Sequence, residues 1–152
     1  MSTIACRSIG VVRSPVTEGR DDGWASVVSE LHLDEDVAAG LPGLEGFSHA
    51  VVVFWMHRSS FEAATDLVRR PRGRQDMPEV GIFAQRAKHR PNPIGLTAVR
   101  VLGRRGHIVQ VQGLDAIDGT PLLDLKPYVP AFDTAPGATV PEWMARLMEG
   151  YF

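Results

Sequence analysis

The sequence predicts a mainly β protein, an antiparallel barrel or sandwich with one short helix near its C-terminal end. Three observations carry that reading. About seven stretches of strand length recur at short spacing, each bounded by turn residues. Gly and Pro number 15 and 11 in 152 residues, so the chain turns often. Strands do not alternate with amphipathic helices, as they would in a parallel α/β sheet. At this length one domain, residues 1–152, is the expectation, with a core that needs no disulfide.

In chain order, residues 3–12 read as a first strand, with Ile4, Ile9, Val11 and Val12 apolar. Cys6 is expected on it as a small buried residue. Arg13-Ser14-Pro15 ends the strand, and a charged loop with Glu18, Arg20, Asp21 and Asp22 follows. Residues 24–33 fit a half-buried strand, with Val27, Val28, Leu31 and Leu33 among polar neighbours. Residues 34–40 suit one helical turn capped by Asp34. Residues 47–58 are the most apolar piece, and their run Ala50-Val-Val-Val-Phe-Trp-Met56 reads as a central strand ending in His57-Arg58. A short helix is expected over residues 61–70 and a basic loop over 71–78. Strands follow at 80–84, 94–102, 107–114 and 122–125, and residues 128–139 look irregular. Within 107–114, Val109 and Val111 share a face. Pro141 suits the first turn of a helix over residues 141–149, where Met144, Leu147 and Met148 share a face.

The composition excludes several classes. Cys6 is the sole cysteine, so no intrachain disulfide can form and a reducing compartment fits. No apolar run approaches the ~18 residues of a membrane span, and the N-terminus lacks a signal-peptide pattern. A cytoplasmic protein with no membrane contact is the expectation. There is no Gly-rich dinucleotide fingerprint, phosphate-binding loop, Cys-x-x-Cys or His-Glu-x-x-His. The net charge of -2 conceals an asymmetry: residues 69–105 carry ten of the 16 Lys and Arg but only two acids, Asp76 and Glu79. Such a segment is a candidate basic face for phosphates, or a solvated loop paired with acids elsewhere.

Inside it lies Gly81-Ile-Phe-Ala-Gln-Arg-Ala-Lys-His-Arg-Pro-Asn-Pro-Ile-Gly-Leu-Thr97. Gln85, Arg86, Lys88, His89, Arg90 and Asn92 crowd a loop stiffened by Pro91 and Pro93. A loop that only joined two strands would be shorter and richer in Gly, Asn or Asp. Cations and amide donors on a stiff backbone suit an anionic or multiply hydrogen-bonding ligand.

This stretch resembles the signature of the TsaA-like family, whose characterised branch comprises S-adenosylmethionine-dependent tRNA methyltransferases acting on threonylcarbamoyl-adenosine beside the anticodon. Three further segments share the resemblance in family order: Ile9-Gly-Val-Val-Arg-Ser-Pro15, Gly43-Leu-Glu-Gly-Phe-Ser-His49, and Asp115-Ala-Ile-Asp-Gly-Thr-Pro-Leu-Leu-Asp-Leu-Lys-Pro-Tyr128. The resemblance implies a single-sheeted antiparallel β-barrel, a homodimer, and a cofactor site near the subunit interface. Two features depart from the family pattern. The first loop reads Arg20-Asp-Asp-Gly-Trp24 where the tRNA enzymes usually carry a Pro-Arg-Gln-like segment, and a C-terminal extension common in bacterial members has no counterpart before Phe152.

S-adenosylmethionine presents a carboxylate, cationic ammonium and sulfonium groups, a ribose diol and an adenine. Arg86 is the candidate for the carboxylate, or for a substrate phosphate. Asp118 can accept from amines or hydroxyls, and Gly119 permits close backbone approach, although Asp-Gly is also an ordinary hairpin turn. The resemblance extends the cofactor set to Ile117 and Thr120 beside that turn, to His57 and Arg58, to Leu96 through its backbone, and to Asp22 and Trp24 in the first loop. Trp24 offers a ring for adenine or an anchor for the core. Lys88, His89, Arg90 and Asn92 are the substrate or RNA candidates. Methylating an amide-like nitrogen is helped by a base, and His57, His89 and Asp118 are the choices, undecided among themselves. A metal site from His49, His57 and His89 is disfavoured by their irregular spacing. The predicted activity is N-methylation of threonylcarbamoyl-modified adenosine in tRNA. The alternatives are a small-molecule methyltransferase of the same fold and a noncatalytic ligand- or RNA-binding barrel.

Overall fold

A computed structural model describes residues 1–152. Six strands close into one antiparallel barrel: β1 (Gly10–Arg13), β2 (Val28–Leu33), β3 (His49–Trp55), β6 (Ile94–Arg105), β7 (Ile108–Gln112) and β8 (Pro121–Pro127). The order around it is β1-β2-β7-β6-β3-β8, with β8 returning to β1. Two short strands, β4 (Val68–Arg69) and β5 (Val80–Gly81), pair outside it. Three short helices complete the fold: α1 (Ala63–Asp66), α2 (Pro130–Asp133) and α3 (Glu142–Leu147). No helix is long and apolar enough to cross a membrane.

The barrel is the expected consequence of period-two patterning, because alternate side chains of a strand face opposite sides of its sheet. Along β6, Gly95, Thr97 and Val99 are buried while Ile94, Leu96 and Ala98 are exposed. Val12, Leu31, Val52, Val99, Val109, Val111 and Leu122 are each at most 1% exposed and share one core cluster. Two close approaches set its shape. A Cβ on Gly10 would fall 2.2 Å from the His32 carbonyl oxygen, and one on Gly95 would fall 2.3 Å from the Phe54 ring. Closure leaves no free sheet edge.

Several expected boundaries move. The first strand begins at Gly10 rather than at residue 3, because residues 1–8 lie outside the barrel and are exposed, and sheet bonding starts where the Ile9 N–H meets the Leu122 carbonyl (2.9 Å). Cys6 is accordingly exposed, not buried. Residues 24–27 form a turn, closed by the Val27 N–H on the Trp24 carbonyl, and the strand starts at Val28. Residues 82–84 form a 3-10 turn rather than strand, because Ile82 turns into the interior and the Gln85 amide bonds the carbonyls of Arg69 and Val80. The helix expected over 61–70 is confined to α1, since β4 takes Val68 and Arg69 into pairing with β5. The irregular stretch 128–139 contains α2. Pro141 caps α3 and Leu147 is buried, as the helical spacing requires.

The register defines two rims. Arg13, Val28, Trp55, Ile94, Gln112 and Pro121 mark the upper one; the loops 14–27, 56–93 and 113–120 leave from it.

Candidate functional site

Apart from His49 of the disfavoured metal set, which starts β3 at the lower rim, every residue singled out from the sequence as a site candidate lies in the three upper-rim loops or within three residues of their junctions with the strands. Strands in a barrel place side chains rigidly, and loops at one rim converge over its mouth. Hydrogen bonds tie these loops to one another. Asp118 Oδ1 accepts from the Ser14 N–H (3.0 Å), and the Asp118 N–H donates to the Val16 carbonyl (2.8 Å). The Gly119 N–H donates to the Val12 carbonyl (2.8 Å). Arg58 donates to the Thr17 carbonyl (3.1 Å), so the first loop is held from two sides.

The turn at residues 117–120 is stiff. Both the N–H and the hydroxyl of Thr120 bond the Ile117 carbonyl, at 3.2 and 2.7 Å, and Thr120 is 2% exposed. Gly119 has φ +81°, a conformation that costs a residue with a Cβ. A Cβ there would stand 3.9 Å from His57 Nε2, so the structure brings the strand-end imidazole and the Asp-Gly turn together. His57 forms no hydrogen bond within the chain and is exposed overall. Partial desolvation, then the Arg58 cation, lowers its pKa. It therefore favours the neutral form, which does not repel a cationic ligand.

The 81–97 stretch divides its labour. The Arg86 guanidinium donates to the Leu96 carbonyl (2.7 Å) through one nitrogen and is otherwise exposed. Its remaining donors are free for a carboxylate or phosphate, and the Leu96 carbonyl is the acceptor that holds it. Arg90 turns inward on its own loop, donating to the carbonyls of Gln85 (3.0 Å) and Ala87 (3.3 Å). His89 Nδ1 sits 2.8 Å from the Ser60 carbonyl oxygen and 3.2 Å from the Ser60 nitrogen, fastening the loop to the segment after β3. Lys88 and the Asn92 side chain are exposed and make no intramolecular hydrogen bond.

The first loop is less directly placed. Asp22 is exposed. Trp24 is 2% exposed, donates its indole N–H to the Arg20 carbonyl (3.0 Å), and lies under the Arg20 guanidinium at 5.0 Å. In this arrangement its ring anchors the loop and offers no face to an adenine. The basic segment 69–105 is also not one open face. Arg69, Arg72, Arg74 and Arg104 pair with Asp66, Asp21, Asp76 and Glu45, and Arg70 bonds the Met77 carbonyl. Arg100, Arg104 and Arg105 lie toward the lower rim, far along β6 from Arg86.

No three His, Cys, Asp or Glu side chains converge as metal ligands. An apolar cavity of about 390 Å³ opens at the lower rim between Leu41, Phe47 and Leu125. Its one charged residue, Asp124, is engaged by Lys126 at 2.6 Å, so the cavity lacks the cation and free acceptors concentrated at the upper rim. Residues not singled out from the sequence also build the rim. Arg13 stands 3.9 Å from Asp118, and Asp115 accepts hydroxyl bonds from Thr97 and from Tyr151 (2.5 Å). Asp115 lay within a motif already noted, whereas nothing in the pattern around Tyr151 distinguishes it from a packing aromatic.

Comparison with known proteins follows the same lines. A family model described as the tRNA-methyltransferase O N-terminal domain matches residues 18–134. A probable S-adenosyl-L-methionine-binding protein of Pyrococcus abyssi is 37% identical over 135 residues, covering 86% of this chain and 71% of that protein. The tRNA (adenine(37)-N6)-methyltransferase of Escherichia coli is 38% identical over 152 residues, covering 91% of this chain and 63% of that protein. The crystal structure of a Pseudomonas TrmO superposes with a TM-score of 0.76 at 31% identity, over 94% of this chain and 62% of that one. The chain thus spans less than two thirds of these last two proteins.

Proposed function

The chain belongs to the family of tRNA-methyltransferase O N-terminal domains, and we propose that it methylates N6 of an adenosine in tRNA, taking the methyl from S-adenosylmethionine. The acceptor is the threonylcarbamoyl-modified adenosine beside the anticodon, in the cytoplasm. The observation that carries this reading is the approach of His57, from the 56–93 loop, to the Asp118-Gly119 turn of the 113–120 loop, on the upper rim of a barrel shared with that family, with Arg86 held on the same rim's long loop. The small-molecule reading rests on the altered first loop, and that loop is here occupied in packing Arg20 on Trp24.

The donor set suits S-adenosylmethionine. Arg86 offers unengaged N–H groups to its carboxylate. The 117–120 turn offers a close backbone and, in Asp118, an acceptor whose side chain remains 37% exposed. A neutral His57 tolerates the sulfonium. The chemistry such a donor supplies is displacement at a methyl carbon: a C–N bond forms as the C–S bond breaks, a neutral thioether leaves, and the attacking nitrogen gives up its proton. This chain's part is orientation and acceptance of that proton. Of the three candidate bases, His57 alone has both ring nitrogens free. His89 is held by Ser60, and Asp118 by Ser14 and Arg13. Lys88 and Asn92 face outward toward the acceptor strand, while Arg90 keeps the loop in shape.

A homodimer is part of the same reading. The outer face of β3 and β6 exposes Trp55 opposite Ile94, with Leu96 51% exposed, an apolar surface beside Arg86 that suits a second copy. Light scattering on the purified chain is expected to give twice the monomer mass, and Leu96→Lys to halve it; a monomeric wild type removes this part. For the activity, calorimetry should show S-adenosylmethionine binding, and absence of binding at near-millimolar ligand refutes the reading. Arg86→Ala should weaken binding or turnover at least tenfold, about 1.4 kcal/mol. Nucleosides of tRNA from a deletion strain should lose methylated threonylcarbamoyl-adenosine; if the nucleoside persists where no other enzyme makes it, the tRNA acceptor is wrong.

A further inference from the structure

Three segments remote in sequence meet at Tyr151. Its hydroxyl donates to Asp115 Oδ2 (2.5 Å), and the other oxygen of that carboxylate accepts from Thr97 on β6. Its carbonyl accepts from the Trp24 N–H (3.0 Å), beside the bond from the Gly23 N–H to the Gly150 carbonyl (3.0 Å). Its ring lies under the Arg72 guanidinium at 5.9 Å, and Arg72 also pairs with Asp21 at 3.4 Å. The chain after α3 therefore grips the first loop through its backbone while its one hydroxyl grips the residue that opens the 115–120 turn.

At Gly23 and Trp24 the first loop has no other hydrogen-bonded hold on a distant segment. The first loop is long and exposed over residues 17–23; Ser14, Val16 and Thr17 tie its near side, Asp21 pairs with Arg72, and the Val27 carbonyl at its end accepts from the Gly113 N–H (2.9 Å). Its far side, at Gly23 and Trp24, is held by residues 150 and 151. Burial, then the neighbouring Asp115, holds the phenol proton well above the usual tyrosine range, so Tyr151 stays a donor at any physiological pH.

We propose that Tyr151 is a positioning residue for methyl-donor binding: through Asp115 and the Trp24 backbone it fixes the far side of the first loop against the turn that carries Asp118 and Gly119. The inference rests on the reading of the upper rim as the methyl-donor site. Tyr151→Phe removes the hydroxyl and keeps the ring under Arg72, so it tests the link to Asp115 alone. Arg146→Ala is the control. Arg146 fastens α3 to the Asp76 carbonyl (2.8 Å) and touches neither loop.

The experiment is calorimetry with S-adenosylmethionine on wild type, Tyr151→Phe and Arg146→Ala, with amide hydrogen exchange at Gly23 and Trp24 in each. We expect Tyr151→Phe to weaken binding about three- to tenfold and to speed exchange at both amides, with kcat at saturating donor changed less than twofold. Arg146→Ala should lower the melting temperature and leave donor affinity within twofold. Wild-type affinity and exchange in Tyr151→Phe overturn the proposal, and so does an equal loss of affinity in Arg146→Ala, which marks a merely structural tail. A wild type that does not bind the donor overturns the functional reading and this inference with it.

Discussion

Gly95 closes the Pro-Asn-Pro-Ile-Gly run that helped identify the ligand loop, yet its neighbourhood says that it serves the barrel. It stands opposite Phe54 across β3 and β6, and a Cβ at Gly95 would lie 2.3 Å from both Cε2 and Cζ of that ring and 2.9 Å from Cδ2. Carbon atoms prefer separations of about 3.5–4.0 Å, so the overlap exceeds an ångström. Phe54 is 3% exposed and belongs to the core cluster, which leaves it nowhere to swing. Gly95→Ala is an overpacking substitution, expected to cost about 2–3 kcal/mol. Without the clash its sign would reverse, because Ala in a strand is favoured over Gly by roughly 0.5–1 kcal/mol. For a chain of this size the loss corresponds to about 5–10 °C in Tm. Urea unfolding of wild type, Gly95→Ala, Phe54→Leu and the double variant forms a cycle in which the smaller Leu should recover at least about 1 kcal/mol of coupling. A Gly95→Ala protein as stable as wild type, or additivity in the cycle, refutes the reasoning and returns Gly95 to the ligand loop.

Trp24→Ala should cost about 3–5 kcal/mol by calorimetry or urea, as expected for a buried indole, with Trp24→Phe losing less. Gly119→Ala should cost about 1–2 kcal/mol, because its backbone is left-handed, while His57 stays in place since the new contact is an ordinary one; a stabilised variant contradicts the observed φ. His57 should titrate below the ordinary histidine range by NMR, and Arg58→Met should raise its midpoint. Its folded pKa is lower than its unfolded one, so this residue costs no stability at high pH and destabilises the fold as pH falls through about 6.5, the unfolded value. Glu45, held by its own backbone N–H and then by Arg104, should titrate at about 2, so its contribution is present above the usual carboxylate range and lost as pH falls toward 2; Arg104→Ala should raise that midpoint.

What could be read from the sequence was what depends on local pattern. The alternation around Val109 and Val111, the run from Ala50 to Phe54 and the spacing of Met144, Leu147 and Met148 all report which face is buried, and each sits as read. Strand ends depend on whether a neighbour is present. Ile4 looks like strand but has no partner to pair with, and Ile82 looks like strand but is drawn inward by a turn. The same division holds at the rim. Motif residues could be named in advance, but whether a guanidinium is free is a question of what stands nearby: Arg86 keeps open donors, whereas Arg90, four residues on, spends its own on two carbonyls. Tyr151 was illegible for the same reason, since its partner Asp115 lies 36 positions away.

The closure of the sheet has a consequence for the order of events in synthesis. β1 lies between β2, its neighbour in sequence, and β8, more than a hundred residues later, while Gly23 and Trp24 wait for residues 150 and 151. Contacts between such distant positions form late, because the intervening chain must first be brought together. A growing chain on the ribosome therefore holds β1 half-paired until β8 has emerged, and its upper rim unassembled until residues 150 and 151 have. The rim that would bind donor and acceptor is completed after the barrel itself, so a translation product cut short before residue 150 would carry the motif residues without the surface they form.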